Sequence, residues 1–274
     1  MSDVEFKKFS DFIYTECGIN LPPAKRIMLT ARLNKRLRAL GMNSFSDYYN
    51  YVLSPKGYDE ELSCMIDVVT TNKTEFFREA AHFDYLVNYV LPELIESKRF
   101  RLTSRINIWC AGCSTGEEPY TLAIVLSEFF NSNKKGKFSI LATDISTQVL
   151  GIARGAVYNE DTLRSVSDEL KRKYIMRGKG SKEGACRIVP ELRNCITFKR
   201  LNLMDKDFGI RTMMDIIFCR NVVIYFDRET QRELFRKFYS QLTPGGYLFI
   251  GNSETLHGIN DQFESVAPTV YRKL

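Results

Sequence analysis

Residues 107–120, NIWCAGCSTGEEPY, constrain this chain more than any other stretch. An apolar strand (Ile106, Ile108, Trp109) runs into a turn of small residues from Ala111 to Gly116, and an amphipathic helix opens at Glu117. Small residues between a strand and a helix let a ligand approach backbone N–H groups with no side chain in the way. The next apolar segment ends at Asp144, where a carboxylate is placed to bind two ribose hydroxyls. The combination predicts a nucleoside cofactor on an α/β sheet.

The turn reads AGCSTGEE and lacks the GxGxxG spacing that a dinucleotide pyrophosphate needs for close approach. A ribose carboxylate without a phosphate cradle favours S-adenosylmethionine over phosphorylated nucleotides. Only His82 and His257 are present, which argues against a Ser/His/Asp hydrolase or a His-rich metal site. Cys110-x-x-Cys113 has no second CxxC and no neighbouring His pair, so both cysteines read as packing residues and no metal is expected. Seven scattered cysteines and no apolar run near about 18 residues fit a cytosolic protein with reduced thiols and no membrane insertion.

Residues 1–75 read as helices. Val4, Phe6, Phe9, Phe12 and Ile13 have helical spacing up to Gly18, and Pro22-Pro23 opens a second helix ended by Gly41. Leu29, Leu33, Leu37 and Leu40 share a face of that helix, with Lys25, Arg32 and Arg36 as a strip beside it. From Leu21 to Ser46 there are six Lys/Arg and no acid, which predicts an acidic partner surface. A third helix begins at Ser44 and a fourth spans Asp59–Val69. Thr70–Glu79 reads as a polar hinge, and 76–105 as a linker containing a helix around His82–Ile95 and a charged segment, Glu96–Arg105. Residues 106–274 alternate strands and helices and close in a hairpin around Pro268, which predicts a mainly parallel sheet with an antiparallel edge. Residues 176–194, rich in Gly and Lys, are too long for a plain crossover and are expected to form a small β excursion.

Seven segments then make a resemblance specific. TTNKTEFFRE (70–79), CAGCSTGEEPYTLA (110–123), ATDIS (142–146), YIMRGKGSKEG (174–184), NLMD (202–205), FCRNVVIYFD (218–227) and LTPGGYLFIGNSE (242–254) together resemble the chemotaxis receptor glutamate methyltransferases, the CheR family. The resemblance implies a Rossmann-like methyltransferase domain with a β-subdomain insertion, preceded by an all-helical receptor-recognition domain. It implies that S-adenosylmethionine is the cofactor, S-adenosylhomocysteine the product, and glutamate side chains of chemoreceptor cytoplasmic helices the substrate. Asn72, Thr74 and Arg78 are then expected over the cofactor, Glu117 or Glu118 at its methionine or ribose region, and Asp144 on the ribose. Asn202 and Leu203 flank the adenine, Arg220 and Asn221 close the site, and Tyr225 projects toward the transferred methyl. In the family the helical domain reads acidic receptor helices, the role implied for Lys25, Arg32 and Arg36. The β-subdomain of some members docks a receptor C-terminal peptide, and the expected location is the cytoplasm beside membrane receptor arrays.

Elementary chemistry is consistent with these roles. A glutamate with a pKa near 4.3 is already ionised at neutral pH, so methylation of its oxygen needs alignment and partial desolvation, not a general base. Arg78 and Arg220 suit orientation of that carboxylate, and Tyr225 suits steering it. Two other readings compete. A nucleic-acid methyltransferase draws weak support from the basic helix, but CRNVVIYF lacks a D/N-P-P-Y-like segment for an extruded base, so no nucleic-acid partner is expected. A non-catalytic cofactor-binding adaptor on this fold is opposed by the intact Asn72, Arg78, Asp144, Arg220 and Tyr225.

Overall fold

A computed structural model of the chain describes residues 1–96, 105–132, 136–259 and 262–274. The N-terminal layer is four helices: α1 (Asp3–Cys17), α2 (Arg26–Leu40), α3 (Phe45–Leu53) and α4 (Pro55–Val69). Ser2 and Glu5 form a capping box at the start of α1, and Gly18 ends it with a left-handed φ of 72°. Pro55 sits in the first turn of α4, which therefore begins four residues before the expected Asp59. Phe9, Ile13, Leu29, Leu33, Tyr48 and Met65 are sealed in its core.

The expected strip of Lys25, Arg32 and Arg36 is not one free cationic face, and this corrects the sequence reading. Arg36 makes paired 2.7 Å bonds to Glu61, whose buried carboxylate also accepts from the Tyr48 hydroxyl. A buried carboxylate is retained only with such partners, and Glu61 lies too far along the sequence to betray the pair. Arg32 donates to the Val69 and Thr70 carbonyls and to the Thr71 hydroxyl, tying α2 to the start of the hinge. Lys25, Lys35 and Arg38 are exposed.

After the hinge come α5 (Ala81–Tyr85), a π-helical turn (Leu86–Val90) and α6 (Leu91–Glu96). The charged segment expected over Glu96–Arg105 falls, at 97–104, outside the described residues. The second part of the chain runs β1 (Arg105–Ala111), α7 (Glu117–Asn131), β2 (Lys137–Asp144), α8 (Thr147–Gly155), β3 (Val157–Asn159), α9 (Asp168–Tyr174), β4 (Ile175–Arg177), β5 (Ala185–Ile188), α10 (Pro190–Arg193), β6 (Ile196–Arg200), β7 (Met214–Cys219), α11 (Arg228–Gln241), β8 (Leu242–Ile250), β9 (Phe263–Ala267) and β10 (Val270–Lys273). Seven strands form one sheet in the order β6-β2-β1-β7-β8-β10-β9. The first five are parallel, and β10 is antiparallel to both neighbours. β1 reads as an almost continuous apolar run because both its faces are covered: Ile106, Ile108 and Cys110 join one core layer, Trp109 and Ala111 the other.

β3, β5 and β4 make a separate antiparallel three-stranded sheet. The β excursion is thus displaced from the expected 176–194. Its first strand comes from Val157–Asn159, its last ends at Ile188, and residues Pro190–Arg193 are helical. A three-residue strand leaves too few alternating positions to register as a strand in the sequence.

Strand order reverses on either side of β1. α/β sheets bind ligands at such a switch point, outside the carboxyl ends of the strands. The ends of β1, β2, β6 and β7 bring there the 111–116 turn, Asp144, Asn202 and Arg220.

Candidate active site

The 111–116 turn folds as its residues demand. Gly112 has φ 87° and Gly116 φ 101°, the latter beginning α7. A Cβ on Gly112 would meet Val222 Cγ2 at 2.4 Å, so only glycine lets this turn lie against the 220–226 turn. Asp144 Oδ2 accepts the Ser114 N–H at 2.8 Å and Oδ1 accepts the Ser146 N–H at 3.0 Å. Burial raises the pKa of Asp144, and these amides work against that rise. Ser114, held at φ 48°, donates its hydroxyl to the Asn72 carbonyl at 2.9 Å, which binds the hinge to the turn.

A cavity opens over these elements. Asn72, Thr74 and Arg78 of the hinge line it, as do Glu118, Asp144, Asn202 and Leu203. Arg220, Asn221 and Tyr225 complete that side. The structure separates the two candidate glutamates. Glu118 is on the cavity wall, whereas Glu117 is 5% exposed and accepts from the Thr115 hydroxyl at 2.6 Å. The sequence places both in the first turn of a helix and cannot tell which faces outward.

Arg220 is gripped from two sides. Its side chain is 1% exposed, with Nη2 at 3.1 Å from Glu79 Oε2 and Nη1 at 3.2 Å from Glu118 Oε2. Nη2 also donates to the Arg78 carbonyl at 2.5 Å, and the guanidinium lies 5.4 Å from the Phe83 ring centre. Nη1 meets Glu118 outside hydrogen-bond geometry and has no other partner among the described residues, which leaves a buried donor at the cavity wall. Burial pushes the Glu79 carboxyl upward, but Arg220, Asn221 and the Asn252 amide outweigh it and hold the carboxyl below its ordinary value. Glu79 itself has φ 55° and Phe77 φ 56°, so the hinge carries backbone strain where it meets the site.

Tyr225 lines the cavity, and its hydroxyl has no protein partner among the described residues. Its carbonyl accepts from Asn20 N at 2.8 Å, and Asn202 Nδ2 donates to the Glu16 carbonyl at 2.6 Å. These bonds bring the end of α1 against the sheet domain, where Ile19, Leu21, Lys25 and Met28 form the opposite cavity wall. Sequence reasoning missed that wall, apart from assigning Lys25 to substrate recognition. Nothing local marks Ile19, Leu21 or Met28 as different from core residues. Arg32 and Arg36 are not on the cavity wall.

These residues fit a sulfonium nucleoside. Asp144 uses two acceptor positions on amides and keeps two of about four for ribose hydroxyls. Arg78 and Glu118 supply opposite charges suited to an amino-acid carboxylate and ammonium, and Leu203, Ile19 and Leu21 supply apolar surface for a base. His82 takes no part: it is bonded to the Thr269 hydroxyl at 2.7 Å, and burial, helped by nearby Arg220, lowers its pKa to about 4.

Comparison with known proteins agrees with this geometry. Residues 72–272 match the family model of the CheR methyltransferase SAM-binding domain, and residues 4–70 match that of the CheR methyltransferase all-alpha domain. The chain is 42% identical over 270 residues to a chemotaxis protein methyltransferase of Borreliella burgdorferi, covering 98% of this chain and 94% of that one. It is 38% identical over 271 residues to the chemotaxis protein methyltransferase of Escherichia coli, covering 99% and 91% respectively. The chain belongs to the CheR methyltransferase family, with the S-adenosylmethionine-binding domain of that family over residues 72–272.

Proposed function

We propose that this methyltransferase esterifies glutamate side chains in the cytoplasmic helices of chemoreceptors. The observation that carries the reading is the position of Tyr225 and Arg78. Both stand on a cavity whose one wall is the cofactor domain and whose other wall is the helical domain with the exposed cations of α2. The names of the relatives, chemotaxis protein methyltransferases, supply the biological setting.

When bound, S-adenosylmethionine supplies a methyl on a positively charged sulfur, which an oxygen nucleophile displaces in line. Asp144 orients the ribose end, and Glu118 and Arg78 hold the amino-acid end. The substrate carboxylate arrives ionised, so no side chain has to remove a proton. The Tyr225 hydroxyl, with no protein partner among the described residues, donates to one carboxylate oxygen and aims the other. Arg220 stays bound to Glu79 and Glu118 and fixes the wall behind the reacting group instead of swinging to the substrate. Alignment and exclusion of water supply the rate. The exposed Lys35 and Arg38 attract the acidic face of the receptor helix. The open edges of the β3-β5-β4 sheet, with exposed Val157 and Met176, suit strand addition by a receptor C-terminal peptide.

Radiolabelled methyl transfer to receptor cytoplasmic fragments tests the reading. Base-labile methyl esters are expected, and a complete lack of base-labile label would reject it. Receptors with and without their terminal peptide test the tether.

A further inference from the structure

Behind the cavity lies a carboxylate that the chemistry above does not use. Glu254, 6% exposed, follows β8. Its Oε2 accepts the Gly251 N–H at 2.6 Å and the Asn221 N–H at 3.0 Å, and its Oε1 accepts the Ile224 N–H at 3.2 Å. These amides belong to two segments that meet at the carboxyl edge of the sheet. Asn221 opens the turn after β7, with φ 59°, and Ile224 lies in the single 3-10 turn that carries Tyr225. Other groups complete the frame. Asn221 Nδ2 donates to Glu79 at 3.2 Å, and Gln231 Nε2 donates to the Val223 and Phe226 carbonyls at 2.8 and 3.0 Å. Packing is just as tight: a Cβ on Gly251 would sit 2.5 Å from Asn221 Nδ2, 2.8 Å from Asn221 N and 3.0 Å from Glu254 Oε2.

We infer that Glu254 is a positioning residue, whose carboxylate fixes the 220–226 turn by its amides and thereby sets where Asn221 and Tyr225 stand in the cavity. A carboxylate does what no neutral side chain does here, because all three partners are donors and each bond is charge-assisted. A glutamine would turn an N–H₂ group toward at least one backbone N–H. The turn is also under strain, since a non-glycine residue at φ 59° persists only where its surroundings hold it. The effect on turnover rests on the proposed role of Tyr225; the effect on cofactor affinity does not, because Asn221, Val222 and Tyr225 all line the cavity.

Two variants of the full chain test this, Glu254→Gln and Glu254→Asp, the second keeping the charge but drawing the carboxylate back by one methylene. Each is measured for melting temperature, for S-adenosylhomocysteine affinity by calorimetry, and for kcat and KM on a receptor fragment, alone and with Tyr225→Phe. Affinity for S-adenosylhomocysteine is expected to fall roughly three- to tenfold. The kcat is expected to fall roughly ten- to a hundredfold, with KM for the receptor fragment little changed. In the Tyr225→Phe background the further loss of kcat should shrink to within about twofold, because both changes remove the same placement. A loss that multiplies in full with Tyr225→Phe would overturn the inference, as would unchanged affinity and kcat in a folded variant. Should Glu254→Gln not fold, Glu254→Asp decides by the same criteria. If the wild-type enzyme makes no base-labile ester, the proposed function fails, and S-adenosylhomocysteine affinity alone decides the positioning role.

Discussion

Replacing Asp144 by alanine separates its internal bonds from the ribose-binding role proposed for it. The carboxylate has about four acceptor positions. Two are spent inside the protein, on Ser114 N and Ser146 N, and two remain for the proposed ribose contact. Asp144→Ala leaves both amides buried and unpaired, at about 1–3 kcal/mol each. Removal of a buried carboxylate offsets part of that cost, since burial already disfavours its charged form. A net loss of about 2–4 kcal/mol follows, or a melting temperature lower by roughly 5–10 °C in the ligand-free protein. The cofactor additionally loses two charge-assisted bonds. At about 2–4 kcal/mol together these weaken affinity by roughly 30- to 1,000-fold. Differential scanning calorimetry without ligand reads the first effect, and isothermal calorimetry with S-adenosylhomocysteine below the melting range reads the second. A lowered melting temperature with unchanged affinity would leave Asp144 as an anchor of the turn and remove it from the ribose site. An unchanged melting temperature would refute the bookkeeping of its internal bonds.

Tyr225→Phe removes a hydroxyl that has no protein partner among the described residues, so it should lower kcat while leaving S-adenosylhomocysteine affinity within about twofold; calorimetry showing the reverse rejects the proposed role. Arg36→Ala strips the bidentate partner from buried Glu61, and denaturant titration should show a loss of about 3–5 kcal/mol. Arg38→Glu, at an exposed position of the same helix, should instead raise KM for receptor fragments several-fold with unchanged stability and cofactor affinity; equal effects on stability would show that the surface assignment is wrong. His82 predicts an acid limb. Its folded pKa is lowered to about 4 from an ordinary 6.5, so between those values the unfolded chain binds the extra proton and stability falls as pH falls. The contribution is fully present above about 6.5 and declines by at most about 1.4 kcal/mol per pH unit below it. The melting temperature of His82→Gln should decline less than that of wild type between pH 6.5 and 4.5, and a parallel decline would rule out His82 as the titrating group.

Legibility in the sequence followed the range of each interaction. The sheet was readable because β1, β2, β7 and β8 are buried on both faces and so appear as apolar runs, and because Asp144 lies at the end of one of them. The helical layer was readable from Leu29, Leu33 and Leu37 and from the serine and glycine caps. What escaped depends on partners distant in sequence. Glu61 and Arg36 are 25 residues apart, Asn202 and Glu16 are 186 apart, and Asn20 meets Tyr225 across the whole chain. No periodicity encodes such pairs, so the cationic strip of α2 looked continuous and the helical wall of the cavity looked like ordinary core. Short elements escaped for a different reason: β3 has three residues, fewer than two full repeats of the alternating pattern.

The placement of the buried carboxylates explains how this site works with so little acid–base machinery. The proposed nucleophile, a glutamate carboxylate, is ionised on arrival, and the two histidines lie elsewhere, one buried beside Thr269 and one exposed at position 257. What remains to be supplied is geometry, and geometry is expensive to hold with exposed side chains that lose entropy on ordering. Here two of the cavity-forming segments are tied from behind by carboxylates that accept N–H groups. Asp144 holds the 111–116 turn, Glu79 holds Arg220 and Asn221, and Glu254 holds the 220–226 turn. Among the described residues six non-glycine residues have positive φ, and four of them, Phe77, Glu79, Ser114 and Asn221, fall in these turns or in the hinge that carries Glu79. Strain of that kind persists only when surrounding bonds over-determine the backbone, and at Ser114 and Asn221 those bonds come from Asp144 and Glu254. The protein's own bonds therefore fix these parts of the cavity wall, and a fixed wall is what alignment requires to accelerate a displacement.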